Sequence, residues 1–293
     1  MSRALGAAVK VLAGVGIGVG AVAGATVVKL NARIRPALPY GFSPFEVGVP
    51  AEDVSFMAED GVRLAGWWMD TPDAETVVLC CHGHRGTKAD MLGIGSGLWR
   101  AGHSVLLFDF RGNGASGDGP QSLSHFEQRD VRAAVDVIRR RRPEARIAVV
   151  GFSMGAAATI MAAAEDHRIG AVVADSSFAA MSDVVSAAYA RYRLPGAIVP
   201  VADRLNRAVH RYSFDDVRPV DRIAAIAPRP MLLLHGTVDQ IIPYGQLALL
   251  AEAAGPGAVE TVSFDGADHC GGYFADRPGY IARVSDFLDR AFS

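Results

Sequence analysis

Cysteine is scarce in this chain. Three cysteines in 293 residues cannot supply a disulfide framework. Cys80 and Cys81 are neighbours, and a bond between adjacent residues would close a strained ring. No C-x-x-C pair occurs, which removes zinc ribbons and thioredoxin-type sites. No other metal-ligand cluster stands in the sequence, and no metal or cofactor is expected. An excess of charge is also lacking: 29 basic residues face 31 acidic ones, for a net charge of −2. A near-neutral chain has no global footprint for DNA or RNA, so no nucleic-acid partner is expected. The composition of a disordered chain is missing too, since half of the residues are apolar and a fifth are charged. What remains fits one large domain with a well-buried core.

The amino terminus carries an uncharged apolar run over 11–28, bounded by Lys10 and Lys29. Eighteen helical residues span roughly 27 Å, about one hydrocarbon thickness. The run therefore reads as an uncleaved single-pass membrane anchor over 1–30, with Gly16-x-x-x-Gly20 and Gly20-x-x-x-Gly24 permitting close helix approach. The alternative is a cleaved signal peptide with a small-x-small site at Ala23-Gly24-Ala25 and a secreted product. Basic residues lie on both sides, and the orientation signal nearly cancels. Residues 31–50 contain Pro36, Pro39, Pro44 and Pro50, so an extended linker is expected there. The folded domain is expected over 51–293.

Within it, strand and helix patterns alternate. Val54–Ala58 and Val62–Asp70 flank the turn signal Asp60-Gly61. Thr76–Cys81, Ser104–Phe110, Arg146–Phe152, Ala171–Ala174, Met231–Leu234 and Ala258–Phe264 read as further strands. Helices are expected over Lys88–Arg100, from the capping box Ser124-x-x-Glu127 to Arg142, and after Ser153, Tyr244 and Pro278. This repetition predicts an α/β fold: a mostly parallel sheet with helices on both faces and an antiparallel edge. Residues 176–228 interrupt it as a lid-like insertion. Ala187, Ala188, Leu194, Ile198, Val199, Val201 and Leu205 give that insertion apolar surface. Arg191, Arg193, Arg204, Arg207 and Arg211 give it charge.

Gly151-Phe152-Ser153-Met154-Gly155 fits G-x-S-x-G. The pattern alone carries little, but here it closes a strand and opens a small-residue helix. A serine there stands on a tight turn beside the donors of a helix N-terminus. Serine needs a base, and His269, in the turn-rich Gly266–Gly272, is the candidate. His235 ends a strand and reads as structural. The base needs an orienting carboxylate. Asp239 follows one strand and Asp175 the strand before it, leaving two candidates, with Asp239 preferred. Asp268 adjoins His269 and is poorly placed for its neighbour's ring.

The order Ser153, Asp239, His269 resembles the α/β-hydrolase superfamily. His82-Gly83-His84-Arg85-Gly86 and Asp109–Gly117 (D-F-R-G-N-G-A-S-G) add to the likeness. The chain from about residue 50 is similar to the bacterial Bem46-like or serine-aminopeptidase-like branch. The resemblance implies a serine hydrolase acting on small acyl compounds, chiefly carboxylic esters. It also implies an oxyanion hole from the backbone N–H groups of Met154 and His84, with His82 bracing the loop. The H-G-G-G motif of one esterase branch is absent. Peptidase, thioesterase or lysophospholipase activity are alternatives, as is a non-catalytic binding protein on the same fold. No oligomeric state is implied.

Overall fold

A computed structural model describes residues 2–32 and 41–293, with side chains from residue 16 onward. Part of the expected linker, 33–40, lies outside the described residues. The first helix, α1 (Ser2–Asn31), precedes a sheet of eight strands. These are β1 (Glu52–Met57), β2 (Arg63–Met69), β3 (Thr76–Cys81), β4 (Ser104–Asp109), β5 (Arg146–Phe152), β6 (Ile169–Asp175), β7 (Met231–Gly236) and β8 (Val259–Phe264). Their order across the sheet is β1-β2-β4-β3-β5-β6-β7-β8. β2 pairs antiparallel with β1 and β4, and all other pairs are parallel. The antiparallel edge and the parallel body are those expected from the strand pattern.

The parallel strands read as continuous apolar runs because both faces are covered. Val77, Leu79 and Cys81 of β3 enter one layer of the core, while Val78 and Cys80 enter the other. Both cysteines are fully buried and free. On one face lie α2 (Leu92–Arg100) and the last helix, which contributes Tyr280, Val284 and Phe287. On the other lie α3 (Glu127–Arg141) and α4 (Met154–Glu165).

Two local expectations shift. The helix expected over Lys88–Arg100 begins with a 3₁₀ turn, Lys88–Met91, before α2. The Ser124/Glu127 pair does not open a helix at Ser124. Ser124 has a φ of 83° and donates its hydroxyl to Met154 O at 2.8 Å, so α3 starts at Glu127.

The insertion between β6 and β7 folds into α5 (Met181–Arg191) and α6 (Val199–His210), followed by short 3₁₀ turns. The chain ends with α7 (Gly245–Ala254), the one-turn α8 (Gly272–Ala275) and α9 (Arg277–Phe292). Arg191, Arg193, Arg204, Arg207 and Arg211 are exposed, as expected. Ile198, however, is packed in the core, and Leu205 is exposed.

The second half of the amino-terminal run packs against the domain. Among the described residues, no helix is long and apolar enough to cross a membrane. The side chains of 11–15, part of the expected anchor, lie outside the described residues. From Val22 onward α1 belongs to the domain: Ala23 and Val27 are buried in the main core cluster. Thr26 Oγ1 meets Tyr189 Oη at 2.6 Å, and Asn31 Nδ2 donates to Asn206 Oδ1 at 2.9 Å. Thr26 Oγ1 and Asn31 Nδ2 also donate back to Val22 O and Val27 O of α1, each at 2.9 Å, so the contacts to α5 and α6 add to those within the helix.

Candidate active site

The site lies at the carboxyl ends of β5 to β8. Ser153 sits between β5 and α4 with φ 52° and ψ −115°, a backbone conformation that non-glycine residues rarely adopt. The flanking glycines make this turn possible by close approach. A Cβ on Gly155 would fall 2.3 Å from Cys81 O and 2.5 Å from His82 O. One on Gly151 would fall 2.5 Å from Gly155 O. Side chains there would push α4 off the sheet and lower the serine. The Ser153 N–H is held by Asp175 O at 2.8 Å. Met154 begins α4, so its N–H belongs to the unpaired amides of a helix start.

His269 and Asp239 meet. His269 Nδ1 donates to Asp239 Oδ2 at 2.7 Å, with the Asp239 side chain fully buried. Asp239 Oδ1 accepts the N–H groups of Ile241 and Ile242, each at 2.8 Å. Burial disfavours the Asp239 charge, but hydrogen bonds from His235 and His269 prevail and hold its carboxyl well below the ordinary range. Asp268 is turned away from the ring: its Oδ1 accepts from Gln240 N–H and His269 N–H, both at 2.8 Å.

Asp175, the other carboxylate considered, is held elsewhere. It is fully buried, with Tyr280 Oη donating at 3.0 Å and Ser176 Oγ at 2.9 Å. Burial raises its carboxyl to about 6, against the pull of those two hydroxyls.

His235 reaches further than its place in a strand suggested. Its Nε2 donates to Ile242 O at 3.0 Å and also approaches Asp239 Oδ2 at 3.2 Å. One carboxylate oxygen therefore faces two imidazoles. The spacing His235-x-x-x-Asp239 was the available signal.

The loop after β3 is fixed by His82, which uses both ring nitrogens. Nδ1 donates to Gly83 O at 2.7 Å, and Nε2 accepts the Phe110 N–H at 3.0 Å. This bracing holds Gly83 and His84 against the Ser153 turn: a Cβ on Gly83 would sit 3.5 Å from Ser153 Cβ. Burial, with Arg85 beside it, lowers the His84 imidazole to about 4, so the ring is neutral at pH 7. The glycine-rich loop 109–117 closes around a carboxylate. Asp109 takes Lys88 Nζ at 2.6 Å and the Ala115 N–H at 2.8 Å. An acidic group at its centre does not suit a phosphate cradle.

Two cavities meet at Ser153. One, of about 400 Å³, is lined by His84, Ser153, His269, Cys270, Tyr273 and Phe274 among others. The other, of about 480 Å³, shares His84, Ser153 and Ile241 and runs under α5. Among the described residues, no group of three or more His, Cys, Asp or Glu side chains is arranged to hold a metal ion.

A doubly covered parallel sheet carrying a serine on a strand-to-helix elbow, followed by an acid–histidine pair after later strands, defines an α/β hydrolase. The model of the alpha/beta hydrolase fold matches residues 76–195. The protein YfhR of Salmonella typhi is 30% identical over 225 residues, 70% of this chain and 68% of its own. Protein bem46 of Schizosaccharomyces pombe is 24% identical over 84% of this chain and 79% of its own. Among solved structures, the Pyrococcus furiosus esterase Pf2001 superimposes with a TM-score of 0.73 at 25% identity, covering 88% of this chain and 99% of its own. The chain belongs to the α/β-hydrolase superfamily, and the esterase fold neighbour supports a hydrolase.

Proposed function

We propose that the protein is a serine hydrolase that cleaves acyl compounds, with carboxylic esters as its substrates. The observation that carries this reading is the 2.7 Å Asp239–His269 hydrogen bond in a site that also holds Ser153 on its strained turn. Ser153 Oγ attacks the ester carbonyl carbon while His269 Nε2 takes its proton. Asp239 holds Nδ1 protonated, leaving Nε2 free to accept, and stabilises the imidazolium. The N–H groups of Met154 and His84 receive the oxyanion. Collapse of the tetrahedral adduct breaks the bond to the alcohol, which takes the proton from His269. Water, activated by the same imidazole, then releases the acid.

Since His269 protonates the leaving group, the alcohol belongs in the cavity that His269 lines. The acyl group then points into the other, beneath the insertion, which acts as a lid. Val184, Val185, Ala188, Tyr189 and Leu194 line that cavity. The apolar amino-terminal run supports association with a membrane. Burial of Ala23 favours a retained helix over a cleaved leader, because cleavage at 23–25 would strip Ala23 from the core.

The test is covalent labelling with a fluorophosphonate. Wild type should label and hydrolyse p-nitrophenyl esters. Ser153→Ala should lose both, with a rate loss on the order of 10⁴ or more, and keep its circular dichroism. Labelling that persists in the variant would place the nucleophile elsewhere.

A further inference from the structure

The cavity under the lid has a wall that does not come from the hydrolase domain as the sequence divides it. Val22, Ala25, Thr26, Lys29 and Leu30 of α1 line it, facing α5 across the space that opens on Ser153 and Met154. These residues stand on successive turns, at i, i+3, i+4, i+7 and i+8, one stripe of a helix. The helix is tied in place by polar contacts on three sides. Thr26 holds α5 through Tyr189, and Asn31 holds α6 through Asn206. Tyr212 Oη donates to Asn31 Oδ1 at 3.1 Å, and Arg85 Nη2 donates to Lys29 O at 2.6 Å. The last contact matters most. Arg85 follows His84, whose N–H is the second oxyanion donor, so the end of α1 is bonded to the loop that holds the transition-state charge.

We propose that α1 is part of the substrate-binding machinery: it closes the acyl cavity and makes the enzyme selective for esters of a single medium or long apolar chain. The inference rests on the reading of Ser153 as nucleophile, which places the acyl group at this cavity's mouth. Three features fit a straight chain. The cavity is about 480 Å³, its lining is dominated by Val, Ala, Leu, Ile and Phe side chains, and it continues directly from Ser153. Each buried methylene contributes about 0.8 kcal/mol, or about fourfold in kcat/KM. Selectivity should therefore climb with chain length until the cavity is full. On this account α1 does more than tether the enzyme: the amino-terminal segment sets the substrate.

Ala25 is exposed on α1 and lines the cavity, whereas Val28 is exposed on α1 and does not. Ala25→Trp should fill the cavity, Ala25→Leu should fill it partly, and Val28→Trp serves as the control. With p-nitrophenyl esters from acetate to laurate, wild type and Val28→Trp should show the rising series. Ala25→Trp should lose at least tenfold more on octanoate and laurate than on acetate, and Ala25→Leu should fall between. Equal losses at every length, or Ala25→Trp matching Val28→Trp, would overturn the proposal. Binding of dansylundecanoic acid to the Ser153→Ala protein reads the cavity without turnover. Tight binding weakened at least tenfold by adding Ala25→Trp, but not Val28→Trp, supports the cavity even if no ester is cleaved, and then only the hydrolase reading fails. No difference between the two tryptophan variants sinks the inference even if ester hydrolysis is fast.

Discussion

Asp239→Asn probes the site at the point where most contacts converge. Oδ1 is committed to the N–H groups of Ile241 and Ile242 at 2.8 Å. An asparagine therefore keeps its carbonyl oxygen there and turns its amide NH₂ toward the position of Oδ2. That group donates where a carboxylate accepted. It would bond His269 Nδ1 as a lone pair, moving the ring proton to Nε2. A ring protonated at Nε2 is unable to take the Ser153 proton. The wrong tautomer is expected to cost about 10³–10⁴ in kcat, or about 4–5 kcal/mol of transition-state stabilisation. Stability should fall less, because His235 Nε2 keeps its 3.0 Å bond to Ile242 O. The assay is steady-state hydrolysis of p-nitrophenyl acetate beside a thermal melt. A fall of less than tenfold in kcat with the fold intact would refute the assignment, as would an equal fall in Asp175→Asn. The carboxyl of Asp239 is held low, so its own protonation should leave the rate profile untouched above about pH 4.

Asp175→Asn should change turnover by less than about tenfold and reveal itself in stability instead. The Asp175 carboxyl is raised to about 6 in the folded protein, so the unfolded chain releases this proton first. Raising the pH from about 4 to about 7 then costs the wild type up to about 3 kcal/mol that the variant does not lose. Urea melts at the two pH values measure the difference, and a stability gap that does not move with pH would refute the buried charge. Mass spectrometry of chain recovered from its own cells should find Ala23 and Val27 retained. A mature start at Thr26 would refute the reading of α1 as a permanent part of the domain.

The sheet was legible because parallel strands covered on both faces leave unbroken runs such as Thr76–Cys81 and Arg146–Phe152. The elbow was legible because its glycines are forced by backbone contacts, Gly155 against Cys81 and His82 and Gly151 against Gly155 and Ala156, which leave no room for a side chain. Choosing between Asp239 and Asp175 was harder, since both end loops or strands at the same rim. Only the three-dimensional arrangement gives one to His269 and the other to Tyr280 and Ser176. The role of His235 was hidden by its place in a strand. That α1 also lines a cavity was not legible, because an apolar stripe that faces lipid and one that faces a protein cavity have the same composition. Thr26 and Asn31 were the clue, and their partners Tyr189 and Asn206 lie far along the chain. Within the insertion, Ala188 of α5 and Leu194 of the loop after it line the cavity, while Ile198, in the turn before α6, joins the core.

His82 has a consequence for how the protein matures. With one ring nitrogen on Gly83 and the other on the end of β4, the loop carrying His84 takes shape only after β3 and β4 are side by side. Ser153 waits for β5 to join β6, since it hangs from Asp175 O. Asp239 and His269 wait for β7 and β8. Such distant pairings form late and slowly. A chain still on the ribosome, or one caught half-assembled, would therefore hold every chemical group of the site and no working arrangement of them. The proposed activity toward esters would report completed folding more strictly than secondary structure could.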